Sequence, residues 1–338
     1  MNSSQQLREL KGKRLFGYTF GNFGMSLVNV FTGTYLFQFY VYTINLDSVL
    51  ASVGISVNVF ISAFFSIIFG VIMDNKKPGK LGKRRVFLLY ALPFWIITNI
   101  IVWLPPWYCP VDNRFYLPTA IYFWVVTIIG ALSRTVIFNA YLAMLPEQSQ
   151  TLENRHSVAS LRAFFMIVAS FVSVLMALLV QSFLPAPQDA KWYDESGKIV
   201  LFFIPIVGII FSILGLVIVL ILFFSVDESF YSSNSKLIKE KTTLKDTVIQ
   251  MAQPAKDYNY RNLALVSFFV GISGSTLGLL VFPVQIILLE FDKSKFFIYA
   301  AISIFGKLSW YLIWKMTIKK KSLTSSYSLS LIFAAVVS

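Results

Sequence analysis

The chain has 338 residues, of which 57% are hydrophobic and 13% charged, with a mean hydropathy of +0.70. A soluble domain is nearer half apolar and about a quarter charged, so this composition excludes an ordinary soluble fold. The formal net charge is +13 without a nucleic-acid-binding motif, and a single Cys (Cys109) and a single His (His156) exclude a disulfide framework and a CxxC metal site.

Hydrophobic runs long enough to cross a hydrocarbon core of about 30 Å recur along the whole chain. In chain order they predict spans at 16–44, 49–73, 86–104, 115–143, 158–183, 199–225, 263–288 and 296–314, with a ninth run from about Ser325 to Ser338. In lipid, each backbone polar group must be satisfied inside its own helix. The expected fold class is therefore an all-α polytopic membrane protein. The expected organisation is a six-helix unit at 1–225, a central loop at 226–260 and a partial second unit at 261–338. The N-terminal stretch is too polar for a cleaved signal peptide.

The second span and its exit, "NVFISAFFSIIFGVIMDNKKPGKLGKRR", carry small or polar residues at every fourth position: Gly54, Asn58, Ser62, Ser66, Gly70 and Asp74. Such a stripe is how membrane helices pack closely, or how a cavity is lined.

Lys and Arg set the orientation. Of the 29, four lie in the N-terminal tail, six at 76–85, one at Arg155, six at 236–261 and four at 315–321, all on the side of the N-terminus. Five lie on the other side: Arg114, Lys191, Lys198, Lys293 and Lys295. The expected location is the cell membrane, multi-pass, with the N-terminus and the central loop cytoplasmic. None of the 16 acids falls within the eight complete spans, whereas Arg134, Arg162 and Lys307 do. Charge at that depth costs at least about 2.5–3.5 kcal/mol and normally faces a cavity.

Several stretches resemble the glycoside–pentoside–hexuronide:cation symporter family of the major facilitator superfamily. They are the glycine-rich first span "FGYTFGNFGMSLVNVFTGTYLFQFY", the loop "FGVIMDNKKPGKLGKRR", and "AYLAMLPEQSQTLENRHSVASLRAFF" after span four. The resemblance implies a major facilitator helical bundle. Here it would be truncated at its C-terminal end, with eight full spans plus part of a ninth, and inactive without the rest. It also implies a substrate site and a cation site. The family's span-two Arg falls at Val59 and its two cation-binding Asp at Ser62 and Ser66, beside Asn58. Its sugar-holding Asp residues fall at Ser26 and Phe138, its stacking Trp at Leu142, and its sugar-binding Arg is kept as Arg162. Asp74, Lys83, Arg84 and Arg85 resemble the superfamily's gating loop.

The expected function is secondary transport of a small sugar-like solute by alternating access. Candidate substrate-binding residues are Arg162, Arg134, Tyr18, Ser26, Phe138 and Lys307. With the sugar-holding carboxylates gone, Arg162 kept and Arg134 added four residues before Phe138, the expected solute is anionic and hexuronide-like. A neutral sugar is one alternative; a non-transporting paralogue with a receptor or scaffold role is another. The bilayer and the solute are the expected partners, and a coupling cation, H+ or Na+, stays open. No enzyme signature, cofactor motif or metal-ligand cluster is found.

Overall fold

The computed structural model describes residues 7–185, 190–228, 252–289, 293–320 and 323–337, with the single positions 243, 245, 249 and 291. Most of the loop at 226–260 lies outside the described residues.

Helix α1 spans Gly12–Gln38 and runs on into a π-helical turn, Phe39–Thr43. Then come α2 (Ser48–Asn75), α3 (Val86–Ile101), α4 (Leu117–Gln148), α5 (Leu152–Ser182) and α6 (Glu195–Ser225). After the central loop come α7 (Tyr258–Pro283, with a π-helical end at Val284–Leu288), α8 (Lys293–Lys320) and α9 (Leu323–Val337). Helices α2, α4, α5 and α6 are long and apolar enough to cross a membrane, and α3 is apolar but shorter. The chain is thus an all-helical, multi-pass membrane protein. The helices overrun the expected spans at polar ends, as at Gly12 and Lys320, because a helix need not stop where the hydrocarbon does.

Sequence signals place several ends. Asp47 caps α2, its carboxylate accepting from the Val49 N–H at 2.8 Å. Pro118 sits in the first turn of α4, where the missing N–H is not needed. Asn45, with φ of 67°, turns the chain between α1 and α2.

In the N-terminal unit, α1 packs on α5 and α6, α2 on α4, and α3 on both α4 and α6; α8 packs on α5. Lipid gives no hydrophobic drive between helices, so contact rests on close packing and hydrogen bonds. The glycines of α1 supply the approach to α6. A Cβ on Gly21 would lie 2.9 Å from the Leu222 side chain, and one on Gly24 2.7 Å from Ile218. The core is aromatic: Tyr18, Tyr40, Trp95, Trp103, Phe123 and Tyr141 are fully buried.

Both ends of the bundle are stitched. At one face, the three connections α1–α2, α3–α4 and α5–α6 meet. Asp47 N donates to Arg114 O (2.9 Å), Cys109 N to Ile44 O (3.2 Å) and Trp192 N to Thr43 O (2.8 Å). At the other face the N-terminal tail binds the α4–α5 turn. Leu10 N donates to Asn154 Oδ1 (2.9 Å), and Asn154 Nδ2 donates back to Leu10 O (2.8 Å). Two sets of loops on opposite faces mean that six helices cross in alternating directions.

Candidate functional site

Three groups of polar side chains stand out, and the predicted residues divide among them.

The first lies where α1, α4 and α5 meet. The rings of Tyr18 and Tyr141 stack 4.7 Å apart. The Tyr18 hydroxyl donates to Tyr141 O at 2.7 Å, and that of Tyr141 to Tyr18 O at 3.3 Å. The half-buried Arg162 guanidinium lies 4.8 Å from the Tyr141 ring, a cation–π contact of about 1 kcal/mol. Asn22 Nδ2 donates to Arg162 O at 3.2 Å. The Arg162 Nε is buried without a hydrogen-bond partner. Tyr18 therefore spends its hydroxyl on α4 and acts as a cross-link that places Tyr141 under the guanidinium. Beside Arg162, the rings of Phe16, Phe20 and Phe165 pack 5.3–5.6 Å apart.

The second group lines a cavity of about 80 Å³ between α1, α2, α3 and α4. Asn29, Thr32, Asn58, Asn99, Thr127 and Arg134 bring their polar groups to it. Thr32 donates to Asn99 Oδ1 at 3.4 Å, Asn99 Nδ2 to Trp95 O at 2.7 Å, and Thr127 to Phe123 O at 2.7 Å. Asn58 Oδ1 is buried and unpartnered, as is Ser62 Oγ further along α2. No hydrogen bond or ion pair joins Arg134 to any described residue.

The stripe of α2 meets α4 at Gly54 and Ser66, whereas a Cβ on Gly70 would meet nothing within 4 Å. Gly54 lies against Trp124 and Phe123, Asn58 reaches the cavity, and Ser66 is paired with Asn139. Ser66 Oγ donates to Asn139 Oδ1 at 3.1 Å, and Asn139 Nδ2 donates to Ser66 O at 2.9 Å. Val59, the position aligned with the family's Arg, is 64% exposed and points away from this seam. Ser26 is buried on α1, and Phe138 is half-buried against the core.

The third group caps the N-terminal face. Arg84 bonds Asp74 Oδ1 (2.9 Å), Glu147 Oε1 (3.1 Å) and the Ala143 carbonyl. Arg85 donates to Leu81 O (2.8 Å) and Val226 O (2.9 Å) and lies 5.1 Å from the Phe223 ring. Glu228, 2% exposed, accepts from the backbone N–H of Lys83 (2.6 Å), Arg84 (3.0 Å) and Arg85 (3.3 Å). A carboxylate thus gathers the amides of the turn that leads into α3, ending at its N-cap Arg85. The predicted loop residues Asp74, Lys83, Arg84 and Arg85 are brought together, and their anchor Glu228 comes from beyond α6.

Lys307 belongs to none of these. It lies exposed beside Ser303 and Ile304 of α8 and Ser170 of α5, along a seam where Ser160 and Tyr311 hydroxyls share a 2.9 Å hydrogen bond. A Cβ at Gly271 or Gly274 of α7 would meet nothing within 4 Å, so neither glycine serves close packing among the described residues.

Sequence reasoning missed Asn29, Thr32, Asn99 and Glu228. The first three are neutral residues in apolar spans, and no spacing along the chain links them. Glu228 read as one more loop acid.

A search of curated proteins finds no match to this chain. The family described as MFS/sugar transport protein matches residues 17–338. With six alternating helices, an aromatic and cationic cluster on α1, α4 and α5, and a polar cavity in the bundle, the chain belongs to the MFS/sugar transport protein family, whose members move sugar-type solutes across membranes.

Proposed function

We propose that this transporter carries a small sugar-like solute bearing an anionic group, a hexuronide or similar acid, by alternating access. The observation that carries this reading is Arg134: a cation held at membrane depth, on the wall of a polar cavity, with no acid paired to it among the described residues. Arg162 supports it with a buried Nε that has no partner. Arg presents a planar fork that fits a carboxylate, and a buried charge without a counter-ion is costly. A solute that supplies the missing charge is therefore favoured, and a cation is rejected. Residues 1–225 would form one half of the transporter, and 261–338 would belong to the other.

The α2 seam speaks against sodium coupling of the family's kind. Ser66 is engaged with Asn139, Ser62 offers a neutral hydroxyl, and hard cations want anionic or several carbonyl oxygens.

Uptake by the full-length protein of a hexose and its uronic acid is the test. The acid is expected to be preferred about 10-fold, one charge-assisted hydrogen bond's worth, without dependence on a sodium gradient. Arg134→Gln is expected to erase the preference. A preferred neutral sugar, with the preference unchanged in Arg134→Gln, would leave the neutral-sugar reading standing instead.

The orientation proposed is N-terminus and central loop in the cytoplasm, on the strength of the Lys and Arg bias. A cysteine placed at Ser232 is expected to react with an impermeant maleimide only after the cells are opened. Cys109 gives no background, being fully buried, and burial pushes its thiol pKa up. Labelling of the Ser232→Cys protein in intact cells would reverse the topology.

A further inference from the structure

Three side chains that line the 80 Å³ cavity spend nothing on the rest of the protein. Asn29, Asn58 and Arg134 form no hydrogen bond or ion pair with any described residue, yet they come from α1, α2 and α4 to one space. Asn99, from α3, keeps one amide N–H after its bond to Trp95 O. A carboxamide turned about its last torsion presents its NH2 in place of its oxygen, so the cavity can offer several N–H donors around one guanidinium. None of the protein's 16 acids lies within the predicted spans to oppose that charge. Asn29, Asn58 and Arg134 are half-buried; polar groups that line a cavity are normally matched, and a partner that matches the guanidinium must be negative and small.

The size limits the partner. Sites for organic ligands usually enclose about 300–1,000 Å³. This half-open space has room for a few waters, or for one halide with part of its shell, and is too small to enclose a sugar ring.

We propose that this cavity binds one chloride-sized monovalent anion, held by Arg134 with Asn29, Asn58 and Asn99. Relatives of the resembling family hold a cation against the carboxylates of span two; here the same helix contributes an amide, and the ion has the opposite sign. Bound chloride neutralises Arg134 inside the bundle and ties α1, α2, α3 and α4 together. The site uses the same cation as the proposed function, so a bound halide and an anionic solute would compete for Arg134, and chloride would fill the site when solute is absent. The one rival of like chemistry is the carboxylate of the solute, reaching in from outside the cavity.

Thermal melting of the full-length protein in detergent separates them. At constant ionic strength, replacing sodium methanesulfonate with sodium chloride or bromide is expected to raise the melting temperature saturably, because an ion that binds only the folded form stabilises it by mass action. Arg134→Gln is expected to abolish the halide response, and Asn58→Leu to weaken apparent affinity about 10-fold, the value of roughly one hydrogen bond to a charge. Bromide should give an anomalous peak beside Arg134 in crystals of the wild-type protein. Equal melting in chloride and methanesulfonate, or an undiminished chloride response in Arg134→Gln, overturns the proposal. If glucuronate alone stabilises, and only with Arg134 present, the cavity serves the solute's carboxylate and the halide site is refuted. If chloride stabilises through Arg134 while glucuronate has no effect, the anionic-solute reading fails and the halide site stands.

Discussion

Arg162→Gln is expected to lower solute uptake about 100-fold, by removing two charge-assisted hydrogen bonds of about 1.5 kcal/mol each to the solute. Arg162 is the position where the two candidate roles of a membrane-depth cation separate. A residue that only snorkels to the interface tolerates any long polar side chain. A residue that presents a fork to a solute does not. The surroundings of Arg162 favour the second role. Its ring partner Tyr141 is fixed by stacking on Tyr18 and by two hydroxyl-to-backbone bonds, so the guanidinium plane is held before any solute arrives. That preorganisation lowers the ordering cost of binding. Arg162→Lys keeps the charge but loses the fork and the ring contact, and is expected to recover uptake to within about 10-fold of wild type. Initial rates, corrected for the amount of protein at the surface, are the measurement. Uptake within twofold of wild type in Arg162→Gln would reduce the residue to an interface anchor. Tyr141→Phe keeps the ring and loses only a 3.3 Å hydroxyl bond, so it should leave uptake nearly unchanged.

How much of this was legible in the sequence differs by level. The spans were readable because a lipid-crossing helix must be apolar over its length, and that is a one-dimensional property. Their ends were less so: α8 runs to Lys320 and α1 starts at Gly12, since basic residues extend a helix into water without cost. The stripe of α2 was visible as a spacing, but not what it faced. Only the fold shows that Ser66 belongs to Asn139, 73 residues away. The cavity was half-visible. Arg134 stood out because charge at depth is expensive, whereas Asn29 and Asn99 are cheap enough in a span to pass unnoticed. The basic loop was read as a cluster, but its acid, Glu228, stands 145 residues from Lys83. No periodicity links two chain segments that meet only at the end of a bundle.

Glu228→Leu is expected to destabilise the N-terminal unit by about 3–5 kcal/mol, the cost of leaving buried hydrogen-bonding groups without their charged partner. The carboxylate serves three backbone amides at once, those of Lys83, Arg84 and Arg85. At 2% exposure, little water can replace it. These amides lead into α3, and Arg84 among them carries the bonds to Asp74 and Glu147, so the loss is expected to loosen the α2–α3 loop as a unit. Glu228→Gln keeps one acceptor oxygen and should cost about 1–2 kcal/mol. Melting of the purified protein would register the leucine variant as a drop of roughly 10 °C, at 2–4 °C per kcal/mol for a unit of this size. Gly82 gives an independent check on the geometry. Its φ is +92°, and an added Cβ would collide with the Glu228 carboxylate. Gly82→Ala should therefore cost about 1–2 kcal/mol for the backbone alone and more for the collision. In a Glu228→Ala background the collision with the carboxylate has gone, and the backbone part should remain together with the 3.1 Å approach to the Arg85 side chain. A double-mutant cycle would show that difference as a coupling of about 1 kcal/mol or more. Additive effects would mean that the carboxylate does not sit over Gly82, and the account of the cap would fall with it.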